Sequence, residues 1–541
     1  MENFNIISRR NFLDRSFKIG MGVALSALVD IPFVMKQALA DGNIGLNGKK
    51  FLFIFLRGAN DALNSVIPVG DPAYNSTNRP NIHIPTDPGT DYSVKGPCDF
   101  PISSAPTDPT FGYANAIRLG NGFAALHPSL KFLAPVYNAG ELALVHRVAY
   151  PKQSRSHFDS QNYWETGTPN NNLSKEGIFY RTMVESGLAG KQALSGVSIQ
   201  SALPLSLRGS KAAMTNLTDP TRYGLLGIPN TTVGNTKADS FLRTANQFPF
   251  PEKKERELLS LQFDNLMSTL AVFETIDFSE PGNTFVDDVN TDNDTAPYYL
   301  FPTTNAKNGG YAFHGNNTQK YVVDTGAYGT SNTFIDRLKN AALVLNKTEA
   351  IVAGTEMGGF DTHNNQGGVT GAHATLQRRI GWAIYALKKY FTKYADKASW
   401  KNLVVVTLSE FGRTTIQNDS AGTDHAEAGV MFIAGGGIKG YGRSSTGSGV
   451  FGCSPNDSYN GQSIPWVTGQ TGSMFQANNR YLKRAIDYRS VLGKLIRDHL
   501  GATQGQLNRI IPGYAVTAEN LLSGGTSGKD GTRIFGELDI V

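Results

Sequence analysis

The sequence predicts an α/β protein with a mainly parallel sheet covered by helices on both faces. Three observations predict it. Apolar runs of strand length alternate with segments of helical periodicity, early in the chain and again after residue 332. The runs are continuously apolar instead of alternating, as strands buried on both faces require. No internal period is present, so the chain is not a repeat array.

Lys50 to Leu56 ("KFLFIFL") reads as a fully buried strand stopped by Gly58. Residues 68–121, rich in Pro, Gly, Asp and Thr, read as a long irregular connection. "HPSLKFLAPVYNAG" gives a helix with its stop at Gly140, and "ELALVHRV" a second buried strand. Ser156 starts a further helix. The text then changes character: residues 201–332 are polar and rich in Asn, Thr and Gly around one amphipathic helix, "EKKERELLSLQFDNLMSTLAVF", and read as a large insertion or cap. Strand and helix alternate again from there. "NTFIDRLKNAALVLNK" is a helix, "AIVAG" a strand, "LQRRIGWAIYALKKYFTKYA" a helix, "NLVVVTLS" and "GVMFIAGGG" strands, and "DYRSVLGKLIRDHL" a late helix.

With 541 residues, 40% hydrophobic and 18% charged, the chain has the apolar material for a large core. Lys and Arg exceed Asp and Glu by only five, and no basic stripe is interleaved with aromatics, so nucleic acid is not expected as a partner. The first forty residues carry Arg9 and Arg10, then Phe12 and Leu13, a short apolar run from Ile19 to Val29, and Ala38-Leu39-Ala40. This segment resembles a twin-arginine (Tat) export signal cleaved after Ala40, which implies a Tat translocase as partner during export and a mature chain in the periplasm or outside the cell. Its apolar run is too short to span a bilayer and is broken by Asp30, and no later segment has about 18 uninterrupted apolar residues. Residues 41–541 are then expected to form a single α/β domain with the 201–332 insertion and no membrane span. Cys98 and Cys453 either pair or stay free, and without a CxxC they cannot build a thiolate zinc site.

In parallel sheets functional groups collect beyond the carboxyl ends of the strands. Here the first strand delivers Arg57, Asp61 and Asn64, and the second Arg155, Ser156, His157 and Asp159. "TEMGGFDTHNNQ" adds Glu356, Asp361 and His363 after the third. Glu410 and Arg413 follow the fourth, and Asp424, His425 and Glu427 precede the next. The D-x-H step Asp361-Thr362-His363, if extended, points both side chains one way. Oxygen and imidazole can then hold one divalent metal, with Asp61, Asp159, Asp361, His363, Asp424 and His425 as the candidate ligands. Gly422 permits the turn that adjacent Asp424 and His425 need to converge. Arg57, Arg155 and Asn64 would bind an anionic substrate. Ser156 is either a nucleophile at a helix N-terminus or a simple cap. His83, His127, His146, His314, His373 and His499 are read as structural. The Gly435–Gly440 GxGxxG has no helix behind it and reads as a turn.

The Tat-like start together with "FLRGANDALN", "RSHFD", "GGFDTHNNQ", "LSEFGRT" and "GTDH" is similar to a family of Tat-exported bacterial proteins known as a domain of unknown function. That family is placed by fold near the alkaline phosphatase and sulfatase superfamily. The resemblance implies a three-layer α/β/α sandwich with a metal site at the strand ends. In that superfamily an acid follows the first strand, matched by Asp61, and a nucleophile follows the next, matched by Ser156. Asp361 with His363 matches a later Asp/His group. The Asp-His pair expected directly after a strand is replaced here by Ser409-Glu410, with Asp424-His425 displaced downstream, and no C/S-x-P-x-R sulfatase signature occurs. The expected function is a metal-dependent hydrolase of phosphate or similar anionic esters, with zinc, manganese, magnesium or calcium as the metal, Ser156, His157, Glu410 and Arg413 as catalytic groups, and His157 or Glu410 as general base. The alternatives are an exported binding protein of the cell envelope that keeps the fold without catalysis, and metal-assisted handling of a surface polysaccharide.

Overall fold

The computed structural model describes residues 44–99, 114–189, 194–219 except 213, scattered positions between 234 and 244, 266–278, 284–285, 298–301, 333–466 except 460, 480–515 and 519–541. The Tat-like segment, His314 and most of the 201–332 insertion lie outside these residues.

The central element is an eleven-stranded sheet. Its strands are β1 (Lys50–Leu56), β2 (Leu142–Ala149), β3 (Gly196–Ile199), β4 (Thr215–Leu217), β5 (Val352–Met357), β6 (Leu403–Leu408), β7 (Gly429–Ala434), β8 (Val450–Phe451), β9 (Ile486–Asp487), β10 (Gly524–Thr526) and β11 (Arg533–Phe535). They lie in the order β10-β11-β9-β2-β7-β6-β1-β5-β3-β4, with β8 paired to β2. All run one way except β7, which is antiparallel to β6 and β2, and β10, antiparallel to β11. The sheet is therefore mixed and mostly parallel, and the strand predicted at "GVMFIAGGG" runs against its neighbours. The irregular 409–428 connection carries no helix, so the chain returns antiparallel without the crossover element that a parallel neighbour would use.

Every residue of β1 is buried, and its side chains divide by the two-residue period of a strand. Leu52, Ile54 and Leu56 pack in a core with helices α1 (Leu133–Asn138), α4 (Thr333–Lys347) and α5 (Ala372–Lys393). Phe51, Phe53 and Phe55 enter the opposite core with α2 (His157–Thr166), α3 (Ile178–Glu185), α6 (Tyr488–Lys494) and α7 (Gln504–Ile510). Phe179 of α3 stacks on Phe53 at 4.7 Å between ring centroids. Two helical layers on one sheet make the three-layer arrangement.

Several predicted elements shift in extent. The "AIVAG" strand extends through Glu356 to Met357, and Gly354 inside it has a reason: a Cβ there would sit 1.9 Å from the Phe53 ring. The late helix ends in a π-helical turn, Leu495–His499. Within the 201–332 segment, β4 joins the main sheet beside β3, so this part of it is integral to the fold. Cys98 and Cys453 are both free and buried. Among the described residues no helix is long and apolar enough to cross a membrane.

Candidate metal centre

The site forms where β1, β5 and β6 end and where α2 begins after β2. Because β7 is antiparallel, its starting residues arrive at this same edge, which is how Asp424 and His425 reach groups that follow parallel strands. Locally, His425 bridges back to Arg413 in antiparallel fashion, and Gly412 and Glu427 exchange a backbone hydrogen bond of 2.8 Å. Ser156 caps α2, accepting from the Asp159 amide at 3.4 Å, and so places His157 at the first helical position.

His157 and His363 each turn Nε2 toward Nε2 of His425. His425 Nε2 lies 3.1 Å from His157 Nε2 and 2.9 Å from His363 Nε2. Asp361 Oδ1 lies 3.2 Å from His425 Nε2, 3.0 Å from His363 Nε2 and 3.5 Å from His157 Nε2. His157 and His363 thus flank a shared Asp361–His425 edge, and His157, Asp361 and His425 form a group able to hold an ion. A tetrahedral ion with bonds of about 2.0–2.1 Å separates its ligand atoms by about 3.3–3.4 Å, so these spacings suit a first-row divalent metal.

The outward nitrogens fix the tautomers. His157 Nδ1 lies 2.8 Å from Glu410 Oε1, His363 Nδ1 3.1 Å from Asp424 Oδ1, and His425 Nδ1 2.8 Å from the Arg155 carbonyl. An ionised carboxylate and a carbonyl only accept, so each Nδ1 carries a hydrogen, and a ring in its neutral form presents its Nε2 lone pair inward. Two bare lone pairs 2.9 Å apart repel, and either a proton on one ring or a bound cation relieves that repulsion. Acceptors on Nδ1 are also the usual outer partners of metal-binding histidines.

The surrounding charges keep the acids ionised. Burial works to raise Asp361, but the hydrogen bond and charge of Arg413, followed by His363 and His157, hold it below the usual carboxylate range. Burial likewise opposes ionisation of Glu410, and its hydrogen bonds from His157, Gln161 and the Gly58 amide prevail. For Asp424 the bonds from Asn418 and His363 outweigh burial. His157 is raised, first by its bond to Glu410, and His425 is lowered, first by burial.

Of the residues singled out from sequence, His157, Asp361, His363 and His425 converge, with Glu410, Asp424 and Arg413 directly behind them. His157, expected as a catalytic group, lies in the group able to hold an ion, with Glu410 on its Nδ1. Asp61, expected as a ligand, does not join them: it is fully buried, caps the turn at Ala62–Asn64 and pairs with Arg79 at 2.7 Å. Asn64 is closed in the same network, accepting from Tyr74 Oη and Arg79 Nη1 and donating to the Ile82 carbonyl. Asp159 stays in the first turn of α2, 3.5 Å from Asn172. Arg57 is held between Glu165 (2.7 Å) and Glu356 (3.1 Å), and Arg413 spends its guanidinium on Asp361 and the carbonyls of Gly58, Ala59, Phe360 and Thr423. Neither is an anion clamp. Arg155 is exposed, its guanidinium 4.1 Å from the Tyr481 ring. Gly422 acts by close approach instead of turn conformation, since a Cβ would meet the His363 carbonyl at 2.2 Å. His127, His146, His373 and His499 are buried as structural residues, and His83 is half-buried.

Sequence reasoning missed Arg79, Gln161, Gln366 and Asn418, which position the ligands or their partners. Some of their partners lie in the same irregular loop, as Asp424 does for Asn418, and others on distant segments, as Glu410 does for Gln161, so no regular spacing marks them.

Fold and site together define an α/β protein with a mixed, mostly parallel sheet and a His/Asp cluster at its strand ends. Residues 341–454 match the family described as "Protein of unknown function (DUF1501)". This stretch spans β5 to β8 and holds every converging residue except His157. No curated protein and no solved structure matches the chain.

Proposed function

We propose that the chain is a Tat-exported, alkaline-phosphatase-like metalloprotein that hydrolyses phosphate or similar anionic esters. The observation that carries the reading is the convergence of three imidazole Nε2 atoms and Asp361 Oδ1, with every Nδ1 satisfied from outside. His157, Asp361 and His425 would hold one ion, with His363 on the opposite flank of the shared edge. An imidazole-rich donor set suits zinc or a similar transition metal better than magnesium or calcium. A bound divalent ion would supply a Lewis acid that polarises an ester oxygen. The chain's own residues orient the ligand rings through Glu410, Asp424 and the Arg155 carbonyl, and exposed Arg155 meets the anionic group. Ser156, the N-cap of α2 next to His157, would be the attacking side chain.

The test is turnover of an aryl phosphate by zinc- and manganese-loaded protein, compared with His425→Ala and Ser156→Ala. Activity lost in both supports the reading. The internal neutralisation of Arg57 and Arg413 favours a second reading, a metal-binding envelope protein without catalysis. Metal retention with no turnover above the His425→Ala variant would establish that instead.

A further inference from the structure

The two ligand-bearing loops meet over a single buried amide. Gln366 is fully buried. Its Oε1 accepts from Thr362 Oγ1 at 2.9 Å and from Thr423 Oγ1 at 2.7 Å, and its Nε2 donates to Asp61 Oδ2 at 2.7 Å. Thr362 lies between Asp361 and His363, and Thr423 immediately precedes Asp424 and His425. We propose that Gln366 is the positioning residue of the metal centre, a staple that sets the separation of the Asp361/His363 loop from the Asp424/His425 loop.

The orientation of the staple is determined by charge. Burial opposes ionisation of Asp61, and Arg79 overcomes it, so the carboxylate accepts only and requires the N–H side of the Gln366 amide. The carbonyl side then faces the two threonine hydroxyls, and both of its lone pairs are used. While Thr362 Oγ1 bonds Gln366, its neighbours reach His425 Nε2, Asp361 Oδ1 at 3.2 Å and His363 Nε2 at 2.9 Å. Backbone bonds run alongside: the Thr423 amide donates to the Thr362 carbonyl at 3.1 Å and the Gln366 amide to the Ala421 carbonyl at 2.9 Å. The close approach at Gly422 leaves no room for the loops to slide. Outer groups that hold metal ligands in place typically carry a 10- to 100-fold share of metal affinity. In this role Asp61 remains essential to the site without touching a metal.

The inference rests on the metal reading above, and the experiment separates the two. Co2+ is titrated into the full mature chain, with affinity measured by competition and ligand geometry read from the visible absorption spectrum. Three proteins are compared: wild type, Thr362→Val/Thr423→Val, and Thr362→Ser/Thr423→Ser. Valine keeps the shape and removes the hydroxyl, while serine keeps the hydroxyl. The expected result is a loss of about 10- to 100-fold in Co2+ affinity with a shifted spectrum for the valine pair, and near wild-type values for the serine pair. Should the valine pair fail to fold, each single valine variant is read for the same shift. Wild-type affinity and spectrum in the valine variants, with wild type binding Co2+, would overturn the staple alone. A wild-type chain that binds no Co2+ would overturn the metal reading as well.

Discussion

Replacing Arg79 with methionine tests the structural assignment of Asp61. Both side chains are fully buried, and Arg79 reaches Asp61 Oδ2 and Asn64 Oδ1 at 2.7 Å each and the carbonyls of Thr414 and Thr415 at 2.8 and 2.9 Å. Methionine fills most of the volume but leaves a buried carboxylate without its counter-ion and two carbonyls without donors. Removing one partner of a buried pair costs about 3–5 kcal/mol, most of it the penalty on the charge left behind. Substituting both partners, Asp61→Asn with Arg79→Met, removes that charge and is expected to cost less than Arg79→Met alone. Urea unfolding followed by tryptophan fluorescence reads both variants, provided the m-value is unchanged. An Arg79→Met chain within about 1 kcal/mol of wild type, or a double variant less stable than the single, would refute the reasoning.

Other outcomes follow from the same geometry. Glu410→Gln removes the charged acceptor of His157 Nδ1 and is expected to weaken zinc affinity by about 10- to 100-fold, measured by chelator competition. Gly354→Ala puts a methyl into the Phe53 ring and should destabilise by about 1–3 kcal/mol or more in denaturant unfolding, whereas Gly442→Ala, in open space, should cost mainly its positive-φ strain. Burial depresses His127 and His146 to about 3 and His373 and His499 to about 4. Below the unfolded value of about 6.5 the unfolded chain takes up protons that the native one refuses, so stability falls as pH drops from about 6.5 toward 4, by up to about 1.4 kcal/mol per unit for each histidine. Urea midpoints that stay flat between pH 6.5 and 4.5 would contradict this.

The strands of the central sheet and their alternation with helices were legible because buried strands such as Lys50–Leu56 leave unbroken apolar runs. The direction of β7 was not, since an apolar run carries no polarity and the 409–428 connection is long enough for either direction. The gathering of His157, Asp361 and His363 at one edge was legible because strand ends share an edge in a mostly parallel sheet, whereas His425 joins them at the start of the antiparallel β7. What sequence could not separate was ligand from support. Asp61 and Arg57 have the residue types and positions of site groups, yet Arg79, Glu165 and Glu356 claim them in space. Gln366 is an uncharged side chain whose partners are far apart in the chain, so no motif announces it.

On the proposed reading His157, Asp361 and His425 hold one divalent ion. Elemental mass spectrometry of the mature protein, recovered after export and desalted, tests it most directly beside an Asp361→Ala/His425→Ala variant. The account predicts about one equivalent of a transition metal in wild type and none in the variant. A well-folded wild type without metal after incubation with zinc, or equal metal in both proteins, would contradict it.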